Sequence, residues 1–161
     1  MRPMLVIGNK NYSSWSLRPW LAARHTGIEF DEIRIPLYTP DAAAQIQQYS
    51  PSGKVPVWRE GEFAVWDSLA ICEYLAERVP SLWPADLTAR AVARSISAEM
   101  HSGFTALRTS MTMNARARGR RVAVTPEIAA EIDRIAAIWS DCRKRFGAGG
   151  PWLFGGFSIA D

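Results

Sequence analysis

Three short segments carry residues able to do chemistry: Ser13-Ser14-Trp15-Ser16, Gly53-Lys54-Val55-Pro56 and Asp67-Ser68. The serines follow Met4-Leu5-Val6-Ile7, an apolar run that reads as a buried strand, and they precede helical spacing from Leu17 to His25. Side chains at such a turn project above the carboxyl edge of a sheet, where α/β folds place their sites. The helix start adds unpaired N–H groups and a positive dipole end, both favourable to an anion. A Ser13 hydroxyl there can donate a hydrogen bond to a bound thiolate. Lowering a free thiol by about two units from ~8.5 makes it mostly ionised at neutral pH and needs roughly 2.7 kcal/mol. One charge-assisted hydrogen bond plus the dipole is of that size. The same serines equally suit plain capping of the helix, and Pro19 fits either role near its first turn.

Val55-Pro56 opens a strand, where proline removes a ladder hydrogen bond. It is either a trans proline on an edge strand or a cis proline that turns the Val55 N–H and C=O outward for a bound peptide. Lys54 beside it either meets a carboxylate or stays solvated. Asp67-Ser68 lies at a strand-to-helix junction, where a plain N-cap is one reading. In the other, the Ser68 O–H and N–H bind a carboxylate and Asp67 takes an ammonium. A γ-glutamyl group carries both charges.

The elements that must position these residues follow from hydrophobic period. Glu29 to Ile35 alternates as a second strand, and Pro36 to Ser52 is a loop with one helical turn at Ala42 to Gln47. Val55 to Arg59 and Glu62 to Trp66 pair as a hairpin through Glu60-Gly61, and Ser68 to Arg78 forms a helix. This βαβ unit, hairpin and covering helix make an α/β thioredoxin-like domain over residues 1–79. Val79 to Pro84 carries two prolines, so 80–87 is a linker. An all-α helical domain starts over 88–161. Val92, Ile96, Met100, Phe104, Leu107 and Met111 predict one long helix, and Thr125-Pro126 caps a second whose apolar face runs from Ile128 to Phe146. Ser158-Ile159-Ala160-Asp161 is a capping-box pattern that should open a further helix, so the second domain reads as truncated.

Composition narrows the classes. A chain of 161 residues with 48% hydrophobic and 22% charged residues has the balance of an ordinary soluble protein with a sizeable core. A net charge of +3 does not call for nucleic acid, and Arg116, Arg118, Arg120 and Arg121 read as a solvated loop because no aromatics interleave them. Cys72 and Cys142 form no CxxC pair or disulfide framework, and His25 and His101 lack metal-ligand spacing. No metal is expected. The N-terminal apolar run is too short for a signal peptide, and no segment is long enough to span a bilayer. Cytoplasmic localisation, without membrane or nucleic-acid partners, is the expectation.

In this order the motifs resemble those of the glutathione S-transferase family. Ser13-Ser14-Trp15-Ser16-Leu17-Arg18 resembles the serine motif of its zeta and tau classes, with Ser13 at the catalytic serine position. Ser50 to Pro56 is similar to the loop before the family's cis-proline, Asp67-Ser68 to its γ-glutamyl-binding pair, and Phe154 to Asp161 to its second-domain capping box. The resemblance implies glutathione as co-substrate, a small-molecule electrophile as partner and a homodimer. Ser13, or its neighbour Ser14, stabilises the thiolate. Lys54, Val55, Pro56, Asp67 and Ser68 hold the tripeptide, with Tyr12 and Trp15 forming one wall for the electrophile and Phe104, Arg108 and Met111 the other.

Three departures qualify this. Zeta enzymes carry cysteine where Trp15 stands, no cysteine replaces Ser13, and Pro36 to Gln48 holds no basic residue for the glycine end of glutathione. Glutathione conjugation is the expected activity. A glutathione-dependent isomerase or dehalogenase, and a non-catalytic module of the same fold, are the alternatives.

Overall fold

In the computed structural model, which describes residues 2–161, Met4–Ile7 forms the first strand, β1. Leu5, Val6 and Ile7 are fully buried, so both faces of this strand are covered, as its unbroken apolar run requires. Helix α1 (Ser14–His25) returns the chain to β2 (Asp31–Arg34), which lies parallel to β1 with Val6 opposite Ile33. A short helix, α2 (Ala42–Gln47), precedes β3 (Val57–Glu60) and β4 (Phe63–Val65). β3 runs antiparallel to both β1 and β4, giving the sheet order β2-β1-β3-β4. Helix α3 (Ser68–Arg78) then packs beside α1.

Alternation along the strands builds the two sides of the sheet. Val6, Ile35, Ile46 and Val57 form one buried cluster, which includes the α2 residue Ile46. Ile7, one residue on, instead lines a cavity together with residues of α1. This is a thioredoxin-like α/β unit. It runs to Val79, and a second unit spans Pro80–Asp161.

Local chemistry moves several boundaries from the sequence expectation. Pro56 has no N–H for the ladder, so β3 starts at Val57. The hairpin turn is Gly61-Glu62 rather than Glu60-Gly61, because Glu60 pairs with Phe63 and Gly61 takes the left-handed conformation at φ 61°. Helix α1 begins at Ser14, so Pro19 lies beyond the first turn, buried within the helix.

The second unit is helical: α4 (Leu87–Ser102), α5 (Thr105–Ser110) and α6 (Pro126–Phe146). The long helix expected through Phe104 to Met111 is broken. α4 ends at Ser102 and is capped by Gly103, where a Cβ would lie 2.9 Å from the Glu99 carbonyl oxygen, and Phe104 follows in the left-handed region at φ 62°. The break is held by polar contacts. Glu131 of α6 accepts from the Ala106 and Leu107 amides at 3.3 and 2.7 Å, supplying the cap that α5 lacks. Phe104, Ile138 and Cys142 form the buried centre, with Val92, Ile96, Met100 and Ile135 packed around it.

Near the end of the chain, the Asp161 carboxylate accepts from the Ser158 amide and hydroxyl at 2.8 and 3.2 Å and from the Leu153 amide at 2.8 Å. That is the backward half of a capping box.

Candidate functional site

Strand direction gathers the three sequence motifs. β1 and β3 are antiparallel, as are β3 and β4, so the carboxyl ends of β1 and β4 and the amino end of β3 lie at one edge of the sheet. The serine cluster leaves β1 there, Val55-Pro56 enters β3 there, and Asp67-Ser68 leaves β4 there. This is the edge where open α/β sheets bind ligands.

Ser13 is the N-cap of α1, and its hydroxyl oxygen accepts from the Ser16 amide at 3.3 Å. The hydroxyl also donates to Ser16 Oγ at 2.8 Å, and Ser16 Oγ accepts from the Gly8 amide at 3.1 Å. Ser13 is thus both a cap and a half-buried hydroxyl at the positive end of a twelve-residue helix. Beside it lies a cavity of about 170 Å³, lined by Ile7, Lys10, Ser13, Ser16, Leu17 and Trp20.

Lys10, Leu17 and Trp20 were not among the residues singled out from the sequence. Their signal was periodic: Ser13, Ser16, Leu17 and Trp20 recur at i, i+3, i+4 and i+7, one helical face. Glu32 of β2 ties this face down, accepting from Trp20 Nε1 at 2.8 Å and pairing with Lys10 Nζ at 2.9 Å. Partial burial pushes the Glu32 carboxyl up. The bonds from Lys10 and Trp20 and the charges of Lys10 and Arg24 outweigh it, so the group is held below the usual glutamate range.

The Val55-Pro56 bond is cis, with Pro56 buried and Val55 half-buried. Lys54 is exposed, and its amide donates to the buried Ser50 hydroxyl at 3.4 Å. Asp67 is the N-cap of α3: its Oδ1 accepts from the Leu69 and Ala70 amides at 3.0 and 3.3 Å. The Ser68 hydroxyl next to it is buried and has no hydrogen-bond partner. Leaving a buried hydroxyl unpaired costs on the order of 1–3 kcal/mol, and a bound polar group would recover it.

Tyr12 and Trp15 are exposed, and the Arg18 guanidinium sits 4.3 Å from the Trp15 ring centre. The other expected wall residues lie in the second unit and off the continuous helix foreseen for them. Phe104 is committed to that unit's core. Arg108 donates to the Gly103 carbonyl at 2.9 Å and to the Met100 carbonyl, closing the end of α4. Met111 is half-buried just after α5.

Cys72 and Cys142 are both buried. Burial pushes the Cys72 thiol up to about 12, and Cys142 is raised from the same cause. Among the described residues no cluster of His, Cys, Asp and Glu could hold a metal ion, and no helix is long and apolar enough to cross a membrane.

Residues 12–78 match the family described as glutathione S-transferase, N-terminal domain. The chain is 32% identical over 105 residues to a probable maleylacetoacetate isomerase of Caenorhabditis elegans, covering 64% of this chain and 48% of that protein. Over 108 residues it is 32% identical to the maleylacetoacetate isomerase of Rattus norvegicus, covering 64% and 49%. The chain thus spans about half the length of the curated relatives it matches.

Among solved structures, a glutathione S-transferase from the Antarctic clam Laternula elliptica superposes with a TM-score of 0.69 at 24% identity, over 100% of this chain and 74% of that one. A Burkholderia glutathione transferase homologue with bound glutathione gives 0.68 at 21% identity, over 99% and 75%. Residues 12–78 thus match the glutathione S-transferase N-terminal domain, and the chain shares the fold of these solved glutathione transferases.

Proposed function

We propose that this chain binds glutathione at the shared edge of its N-terminal sheet and activates it as a serine-type glutathione transferase. One observation carries the reading: the Ser13 hydroxyl stands at the N-terminus of α1, beside a cavity, in reach of an anion that the helix end also favours. In this reading Ser13 donates its hydrogen bond to the glutathione sulfur, and the thiol proton leaves to solvent. The sulfur lone pair then forms the bond to an electrophilic carbon of a small molecule as that carbon's leaving group departs.

Val55 supplies its backbone to the tripeptide, Pro56 fixes the turn, Lys54 and Ser68 meet carboxylates, and Asp67 meets the α-ammonium. Phe104 and Arg108 are occupied within their own unit, and in this reading Tyr12 and Trp15, exposed on the first unit, meet the electrophile. The assembled enzyme is a homodimer in this reading.

A second reading rests on the relatives. The maleylacetoacetate isomerases suggest an isomerisation; in that reading the glutathione thiolate adds to the substrate and is then expelled, returning glutathione unchanged. Trp15, which stands where zeta enzymes carry cysteine, favours conjugation.

Glutathione stoichiometry separates the two. With an aryl halide such as chlorodinitrobenzene, conjugation consumes one glutathione per turnover. With maleylacetoacetate, isomerisation consumes none. Failure of glutathione to bind in a calorimetric titration would remove both readings.

A further inference from the structure

We propose that Ser16 is the positioning residue for the Ser13 hydroxyl, and that it works by reversing the hydrogen bond between the two side chains. This rests on the assignment of Ser13 to the thiolate. A serine hydroxyl has one proton to donate and room to accept two. Ser13 spends its proton on Ser16 Oγ at 2.8 Å while accepting from the Ser16 amide. In that state it has no proton to give a thiolate.

Ser16 can release it. Its side chain is 2% exposed, and its oxygen is anchored by the Gly8 amide at 3.1 Å. A small turn of the Ser16 side chain, with its O–H swung toward Ser13, exchanges donor and acceptor in the contact that now runs from Ser13 to Ser16 at 2.8 Å. Ser13 Oγ then accepts from the Ser16 hydroxyl and amide together and delivers its own proton to the sulfur. Two donors on one oxygen polarise its remaining O–H, which strengthens the bond to the anion. Gly8, at the end of β1, thereby sets the position of a hydroxyl on the first turn of α1.

The test reads the pKa of the bound glutathione thiol, by thiolate absorbance against pH, in the unaltered protein and in Ser13→Ala, Ser16→Ala, Ser16→Thr and the double alanine variant. Ser16→Ala should raise the bound thiol pKa by about half a unit to one unit, a roughly three- to tenfold fall in its ionisation constant. Ser16→Thr, which keeps the hydroxyl, should restore it. In the Ser13→Ala background the Ser16 substitution should change nothing further.

A Ser16→Ala protein with an unshifted thiol pKa, or an equal shift with and without Ser13, would overturn the positioning role while leaving Ser13 in place. An unshifted pKa in Ser13→Ala would overturn the assignment of Ser13 as well. If the alanine variant does not fold, Ser16→Cys against Ser16→Thr carries the same comparison, since the thiol is a weak donor. Equal pKa values in those two would overturn the proposal.

Discussion

Asp67 holds two roles that a pair of substitutions can pull apart. Its carboxylate caps α3 through the Leu69 and Ala70 amides at 3.0 and 3.3 Å, and in the proposed site it also meets the α-ammonium of glutathione. Capping needs only an acceptor oxygen, which asparagine supplies about as well as aspartate. The ammonium contact needs the charge.

Asp67→Asn should therefore lower stability only by the charge–dipole part, about 0.3–0.5 kcal/mol at this exposed helix end. Asp67→Ala loses the cap as well, about 1 kcal/mol or slightly more. For a chain of this size that is a fall in Tm of about 2–4 °C. Glutathione affinity should instead fall about equally in both variants, by roughly tenfold, the worth of one hydrogen bond to a charged group. Denaturant midpoints and calorimetric titration with glutathione read the two quantities separately. Equal destabilisation by asparagine and alanine would refute the capping argument. Unchanged affinity in Asp67→Asn would refute the assignment of Asp67 to the ammonium.

Other consequences can be measured with simple variants. Glu32 has its folded-state pKa depressed, so its contribution is present above the ordinary glutamate pKa and is lost as pH falls through the lowered value. Below about pH 4.3 the denaturant midpoint should drop more steeply in the unaltered chain than in Glu32→Gln. Ile138, 7% exposed against Phe104 and Cys142, should cost about 3 kcal/mol of stability when cut to alanine and about 1 kcal/mol when cut to valine, by denaturant melts of the full chain. Cys72, with its thiol raised to about 12 in a buried position, should resist a thiol-specific disulfide reagent in the folded protein at mildly alkaline pH and react at once in denaturant.

Features set by a few neighbouring residues were the ones readable in advance. The apolar run of β1, the proline before β3 and the cap at Asp67 each follow from local chemistry, and they define the sheet edge on which the candidate site is built. The helix break was hidden because Phe104 and Leu107 keep the apolar period after the backbone has departed from a helix. Periodicity reports which side chains are buried, and a buried phenylalanine looks the same on either side of the break. Gly103 was the available sign. The roles of Ser16 and Glu32 depend on partners eight and twelve residues away, Gly8 and Trp20, which only the folded chain brings near. The long Arg108 side chain reaches the carbonyls that close α4, contacts that no spacing in the sequence announces.

The central claim is that Ser13 ionises glutathione, and the thiolate absorbance of bound glutathione as a function of pH tests it most directly, in the unaltered chain and in Ser13→Ala. The account predicts a thiol that titrates about two units below free glutathione in the first and returns toward the free value in the second. Glutathione that binds both proteins with the same unshifted titration would contradict it.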